Sequence, residues 1–492
     1  MPRSPGSVAR SFSHCDPIVT AFSRLAARRG PDAIVVSTEG RATLGDVDSM
    51  ARAVERQVAA SSIEAGALVG LSAPNGPGFL AGFLALRRAG HAALLLDPLA
   101  PPEDRRRVVG LLGASAVLEC AETWPSLADF RLSKVTATVG VPAMGDAAVV
   151  KLTSGSTGSP RGVAMSAETL LADEAALAHT MGLREGDRLL TAIPLSHSYG
   201  FTTLALSALV RGLALVLPPD RGPFAPLLAA RELDASVFPT VPAYVQGLLK
   251  MSTPPPLPGV LRLVISAGAV LPSAVAAQFR ETYGQPLHAF YGSSECGGIA
   301  YDRVGDAAER GAVGTPVEGV RISLAPLEPN DLGEGLVVVE SASVGETYLP
   351  VPDPRLGGGR FETCDIGLWD GGGLVLRRRI DRVINVRGRK VDPSEVESIL
   401  ASLRGVEDVV VVGVSSPGLK DEIVRAVIAC PSGGLGHDDV VSWCRTRLAD
   451  HKVPRSVVIL DAIPRNSRGK VDRPALARPD SSGKRSGLAD GG

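Results

Sequence analysis

Val149-Val150-Lys151-Leu152-Thr153-Ser154-Gly155-Ser156-Thr157-Gly158-Ser159-Pro160-Arg161-Gly162-Val163-Ala164-Met165-Ser166 is the stretch on which the reading of this chain turns. The run from Ala147 to Thr153 reads as a strand. An unbroken series of hydroxyl and glycine residues follows, and Pro160-Arg161-Gly162 leads into a second strand, with a helix from about Ser166. Small residues let backbone N–H groups approach phosphate oxygens, and hydroxyls add donors. The loop lacks the Gly-Lys-Ser/Thr ending of the GxxxxGK[ST] pattern. A Ser/Gly-rich linker has a similar composition, but linkers rarely sit between two apolar strands.

Outward from this loop, short apolar runs alternate with helical patterns. LVGLSAP, GFLAGFLALRRAG and HAALLLDP precede it, and RLLTAIP, LALVLPP, ASVFPT and LRLVISAG follow it, each with a helix-compatible stretch after it. Such alternation predicts α/β layers. Asp16-Pro17 offers an N-cap and a first-turn proline, and Ile18, Phe22 and Leu25 keep helical spacing behind them. From about residue 311 the texture becomes short alternating runs, RISLAPL, GLVVVES and GLVLRRR, which predict a small antiparallel β unit. Beyond IDRVINVRGRKV, a helix (SEVESILASL), two strands (DVVVVGV, EIVRAVIAC), a helix (DDVVSWCRTRLA) and a strand (SVVILD) predict a small α+β domain. The expected organisation is therefore a flexible arm over 1–15, a large α/β domain over 16–380, a small C-terminal domain over 381–478 and a disordered tail over 479–492.

Bulk properties narrow the function. The chain has 492 residues, 45% hydrophobic and 21% charged, with a formal net charge of -1. That balance argues against a nucleic-acid binder, which needs excess Lys and Arg. Six cysteines, at 15, 120, 296, 364, 430 and 444, form no CxxC pair, so zinc and disulfide frameworks are not expected. The N-terminus lacks the apolar core of a signal peptide, and no apolar run is long enough to span a bilayer. A cytoplasmic protein with no integral membrane segment is the expectation.

The loop becomes specific in company. TSGSTGSPRGV resembles the phosphate loop of the adenylate-forming superfamily, which comprises acyl-CoA synthetases, peptide-synthetase adenylation domains and luciferases. Resemblance assigns Thr153, Ser154, Gly155, Ser156, Thr157 and Gly158 to phosphate, with Arg161 where the family usually has Lys. FYGSSECGG resembles the family's Tyr-Gly-x-Thr-Glu: Tyr291 and Gly292 would flank adenine, Ser294 would meet the α-phosphate and Glu295 would hold Mg²⁺. A hard carboxylate suits that ion. Upstream, SAGA places Gly268 and Ala269 where the adenine packs. FETCDIG resembles the family's Thr-Gly-Asp, with Cys364 in the Gly position and Asp365 accepting from the ribose hydroxyls.

LRRRIDRVINVRGRKV resembles the family's hinge segment. It implies Arg379 on ribose or phosphate, Asp381 as the hinge about which the small domain turns, and Gly388 and Lys390 on the pantetheine path. Arg378 stands where the family has Gly. IPRNSRGKVDRPAL resembles the family's C-terminal motif and carries Lys470 at the position of the family's catalytic lysine. PLSHSYGF, with His197, Tyr199 and Gly200, resembles one wall of the acyl pocket, to which Gly297 adds room. Adenylation domains for α-amino acids usually carry an Asp in that wall and this chain has none, so a fatty or aromatic acid is favoured.

The implied activity is that of an AMP-forming acid–thiol ligase using ATP, Mg²⁺ and CoA. Lys470, Glu295, His197 and Arg161 would serve catalysis. The alternative acceptor is the phosphopantetheine of a separate acyl carrier protein. A non-catalytic adenylate-binding protein is a further alternative, prompted by the departures at Arg161, Cys364 and Arg378.

Overall fold

The computed structural model describes residues 16–135, 145–153, 160–219, 222, 224–327, 333–386, 389–415, 422–431, 433–465 and 471–478. The expected arm and tail lie outside these residues.

The apolar runs around the opening stretch become a seven-stranded sheet. Its order is Thr347–Leu349, Arg161–Ser166, Ala147–Thr153, Ala92–Leu96, Leu68–Ser72, Ala116–Cys120 and Phe130–Lys134. The strands Leu68–Ser72 and Ala92–Leu96 are buried at every position, as expected where helices or a second layer cover both faces of parallel strands. A nine-stranded sheet contains Arg188–Leu190, Ala214–Val216, Val237–Thr240 and Leu263–Ser266, the four runs anticipated after the loop. These pair in parallel, and Leu263–Ser266 pairs in parallel with His288–Ser293.

The helix Pro77–Arg88 packs on the seven-stranded sheet, buried from Pro77 through Leu86. Its Phe79 and Phe83 meet Phe201 edge-on, with ring centroids 6.4 and 5.1 Å apart. One apolar cluster therefore runs from that sheet into the segment after His197.

The runs after residue 311 form the antiparallel unit: Arg321–Pro326, Gly335–Glu340, Arg360–Asp370 and Gly373–Arg379 pair in succession. A single 3₁₀ turn, Ile380–Arg382, then leads into the smaller C-terminal part. There the helices Pro393–Ala401 and His437–Arg445 cover a sheet of Asp408–Ser415, Glu422–Ala429 and Ser456–Leu460, with an apolar core of its own. The fold is mixed α/β, a large N-terminal domain followed by a smaller one. Among the described residues, no helix is long and apolar enough to cross a membrane.

The first helix, Pro17–Arg29, starts as its sequence predicts. Asp16 Oδ1 accepts from the amides of Ile18 (2.8 Å) and Val19 (3.0 Å). Its Oδ2 pairs with Arg87 at 2.8 Å, clamping this helix to the end of the buried helix Pro77–Arg88. Asp16→Ala removes both a cap and the partner of a largely buried guanidinium. A loss of about 3 kcal/mol is expected in urea-melt stability.

Candidate functional site

Parallel strands converge their carboxyl ends on one side of a sheet, where α/β proteins place their ligands. Gly268 and Ala269 sit just past the end of Leu263–Ser266 and are exposed. The neighbouring strand carries Tyr291 and Gly292 at its own end.

Tyr291 reaches out of that strand to the antiparallel unit. Its hydroxyl donates to Asp365 Oδ2 at 2.6 Å. Burial, and then the Asp365 charge, push the phenol well above its ordinary pKa, so it stays a donor. Asp365 lies directly opposite Arg379 in the ladder, so the two side chains share a face. Arg379 Nη1 meets Asp365 Oδ1 at 3.1 Å, and its Nε and Nη2 grip both oxygens of Asp381 at 2.9 Å. Burial opposes the charge on Asp381, but Arg379 outweighs it and the carboxyl is held below its ordinary range. Both oxygens anticipated for ribose thus already accept one hydrogen bond each, and each keeps a second lone pair. Cys364 stands in extended backbone without strain, its thiol receiving a bond from Arg355 Nη1 at 3.1 Å. Burial pushes that thiol up.

Glu295 lies in the turn after Tyr291. Its backbone carbonyl accepts from Gly345 N at 2.8 Å and its Oε1 from the Tyr348 hydroxyl at 3.1 Å. The Arg161 guanidinium stacks 3.7 Å above the Tyr348 ring and pairs with Asp353 at 3.2 Å. Arg161 is therefore braced by residues of 348–353 just after the segment expected to hold phosphate. Thr153 faces Arg161 across the ladder at the loop's entrance, and Ser294 Oγ donates to Leu152 O at 3.4 Å. The loop itself, with Ser154, Gly155, Ser156, Thr157 and Gly158, lies outside the described residues, as do Gly388, Lys470 and the side chain of Lys390.

His197 begins a short helix, Ser198–Gly200, that runs into a π-helix, Phe201–Leu206. Such bulged turns recur at functional sites. Gly200 is required by packing: a Cβ there would lie 2.1 Å from Pro194 O. Tyr199 packs on Phe290 with centroids 5.2 Å apart, so this wall joins the strand that carries Tyr291. Asn75 steadies the approach, donating to Thr191 O and Ile193 O and accepting from Leu195 N.

In the smaller part, Arg465 and Val471 form a β-bridge that frames 466–470. Arg473 anchors the far side by donating to Val411 O at 2.7 Å and Glu397 at 2.9 Å. The basic run at the joint is not a free patch, since Arg377 and Arg378 both pair with Glu334.

The structure thus brings Tyr291, Asp365, Arg379 and Asp381 into one network, and Glu295 with Arg161 into another through Tyr348. Sequence reasoning missed Tyr348 and Asn75, whose partners are remote in the chain, and Asp353, which joins the remote Arg161 to the nearby Arg355. It also passed over Lys151 and Asp173. A lysine inside the apolar strand Val149-Val150-Lys151-Leu152 was the available signal.

The family model described as AMP-binding enzyme matches residues 23–349, and the AMP-binding enzyme C-terminal domain matches 395–470. A feruloyl-CoA synthase of an Amycolatopsis species is 28% identical, covering 90% of this chain and 95% of its own length. The long-chain-fatty-acid–CoA ligase FadD13 of Mycobacterium tuberculosis is 26% identical, over 89% and 93%. Among solved structures, o-succinylbenzoate CoA synthetase of Bacillus subtilis with its acyl-adenylate intermediate aligns with a TM-score of 0.77 at 22% identity, over 94% of this chain and 98% of that one. The same enzyme has been solved with ATP and magnesium ion. ATP-bound MatB of Rhodopseudomonas palustris aligns with a TM-score of 0.78 at 23% identity, over 93% and 98%. At these identities the structural likeness is one of fold.

Asp353 gives this site a pH signature. Hydrogen bonds from Arg355, supplemented by Arg161, hold its carboxyl well below the usual carboxylate range. A depressed native pKa contributes stability above the unfolded value of about 4, and that contribution is lost as pH falls toward the native pKa. Asp353→Asn is therefore expected to be less stable than wild type at pH 7. Urea melts at successively lower pH should show the gap narrowing below about pH 4.

Proposed function

The chain belongs to the AMP-binding enzyme family, and from that premise we propose that it activates a fatty or aromatic carboxylic acid with ATP and passes the acyl group to CoA. It is an AMP-forming acid–thiol ligase. The observation that carries the reading is the meeting of Tyr291, Asp365 and Arg379, at 2.6 and 3.1 Å, from three separated motifs.

In this reading the loop 153–158 cradles the phosphates, Gly268, Ala269, Tyr291 and Gly292 frame the adenine, and Asp365 takes the ribose hydroxyls. Ser294 donates to the α-phosphate, and His197 lies beside the reacting carboxylate. Lys470 bridges carboxylate and α-phosphate and stabilises the charge that builds only in the transition state. Arg161 holds the exit of the loop.

Glu295 fits a Mg²⁺ site: it is an oxygen ligand whose carboxylate, among the described residues, accepts from a neutral hydroxyl, that of Tyr348. Among the described residues no group of three or more His, Cys, Asp or Glu could hold a metal alone, so phosphate and water oxygens would complete the shell. When bound, the ion neutralises charge on the departing pyrophosphate.

The small domain, residues 381–478, then turns about Asp381, withdrawing Lys470 and bringing Gly388 and Lys390 to border the pantetheine path. Separating the steps keeps water from the mixed anhydride. A cytoplasmic setting, where ATP and CoA are at hand, is part of the proposal.

The test is ATP-dependent pyrophosphate release across a panel of carboxylic acids, with CoA, with a phosphopantetheinylated carrier protein, or with neither. Activity with particular acids and thioester formed on CoA are expected. Thioester formed only on the carrier would reassign the acceptor, and ATP binding without turnover on any acid would sink the reading. Lys470→Ala should lower the rate about 10²- to 10³-fold with little change in ATP affinity. Tyr348→Phe frees the Glu295 carboxylate of its neutral donor. Its rate is expected to fall roughly tenfold and to recover in part at higher Mg²⁺, read from a magnesium titration.

A further inference from the structure

Arg161 and Cys364, two departures from the motifs that this chain otherwise resembles, are joined in space by Asp353 and Arg355. Arg161 Nη1 donates to Asp353 Oδ2 at 3.2 Å. Arg355 grips the same carboxylate along one edge of its fork. Its Nε meets Oδ1 at 3.1 Å and its Nη2 meets Oδ2 at 2.7 Å. The other terminal nitrogen, Nη1, donates to Cys364 Sγ at 3.1 Å. The order is thiol, guanidinium, carboxylate, guanidinium. Backbone bonds hold the segment against the strand that carries the thiol: Arg355 N donates to Asp353 Oδ1 at 3.0 Å, and Glu362 N donates to Arg355 O at 2.8 Å.

These contacts hold Arg161 from one side, and the Tyr348 ring holds it from another, 3.7 Å away. Among the described residues, Asp353 and Val351 O engage two of its five N–H groups, so donors remain for a phosphate. An arginine left loose loses much rotamer freedom when it is ordered. Fixing it in the fold removes that cost from nucleotide binding and aims the charge in advance. The far end of the relay is the part most open to solvent. The Arg355 side chain is 40% exposed, against 17% for Asp353, and the sulfur of Cys364 is a weak but close acceptor for its outer nitrogen. A glycine at 364 would offer no side chain there. A lysine at 161 would have no planar fork to use the setting.

Resting on the activation chemistry proposed above, in which the loop that ends at Arg161 holds the phosphates, we propose that Asp353, Arg355 and Cys364 are positioning residues for Arg161, and that positions 161 and 364 act as a coupled pair. Cys364 orients Arg355, Arg355 orients Asp353, and Asp353 presents the Arg161 guanidinium to the phosphates. The thiol acts by accepting an N–H and forms no covalent bond. Each departure thus supports the other: an arginine in the loop needs an oriented carboxylate, and the cysteine steadies the group that orients it.

The test is a double-mutant cycle on the full chain, with Arg161→Lys, Cys364→Ala and the two combined. Each variant is read twice: as kcat and KM for ATP in pyrophosphate release, and as the affinity for ATP with Mg²⁺ by calorimetry. Alanine keeps a Cβ at 364, so backbone freedom does not change. Arg161→Lys alone is expected to lower ATP affinity and kcat/KM about tenfold, and Cys364→Ala alone about threefold. In the Arg161→Lys background the alanine should cost nothing further. Arg355→Met, crossed with Arg161→Lys, should repeat the pattern, and it decides the matter if a variant at 364 fails to fold. Effects that multiply overturn the inference, because a Cys364 acting through the neighbouring Asp365, or through stability alone, would be indifferent to residue 161. An alanine variant with wild-type ATP parameters overturns it as well. Silence with every acid overturns the activation chemistry, and the calorimetric cycle then still decides this inference.

Discussion

The Arg379 guanidinium holds two carboxylates at once, and the geometry of the site depends on it. Its planar fork has five donors, enough to grip Asp381 bidentately while one further N–H meets Asp365. Neither carboxylate is far into solvent, at 15% and 17% side-chain exposure, so removing the arginine would strip both of their hydrogen-bonded countercharge, Asp381 keeping the more distant pull of Arg382. The same side chain ties the strand Arg360–Asp370 to the first residues of the joint to the smaller domain. Asp365 and Asp381, on either side of that joint, thus share one set of hydrogen bonds.

Around this pair the protein mixes two kinds of interior. The apolar cluster that includes Phe79, Phe83 and Phe201 seats the π-helix rigidly and so fixes where His197, Tyr199 and Thr202 fall. Beside it lie Lys151, Asp173 and Glu174, each at most 2% exposed, with Glu174 bound to Ser207 at 2.9 Å and Arg211 at 2.6 Å.

The layered fold could be read from the chain because its strands announce themselves. Leu68–Ser72 and Ala92–Leu96 are continuous apolar runs, and the alternation of RISLAPL and GLVVVES needs no tertiary information to be seen. Asp16 could be read as a cap because its partners are two and three residues away. Tyr291, Asp365 and Arg379 were legible through motif resemblance, not through spacing. Contacts made by residues that no local pattern marks could not be read. Tyr348 looks like any strand aromatic until Arg161 and Glu295 are placed on either side of it. Asp173 is a polar helix position until Gly297 is found to make way for it. Lys151 is the exception, a charge inside a buried apolar strand that the sequence alone displays.

The strand Arg161–Ser166 is flanked on its outer side by Thr347–Leu349. On the ribosome the inner partner Ala147–Thr153 is made just beforehand, but the outer partner emerges only after most of the large domain. Until then this edge presents unpaired backbone groups next to Val163 and Met165, both fully buried in the finished fold. Synthesis therefore carries an open, sticky margin at the heart of the site for most of its course. Tyr348 both seals that margin and delivers its hydroxyl to Glu295, so the last strand of this sheet to arrive closes the sheet and pairs Glu295 in a single step.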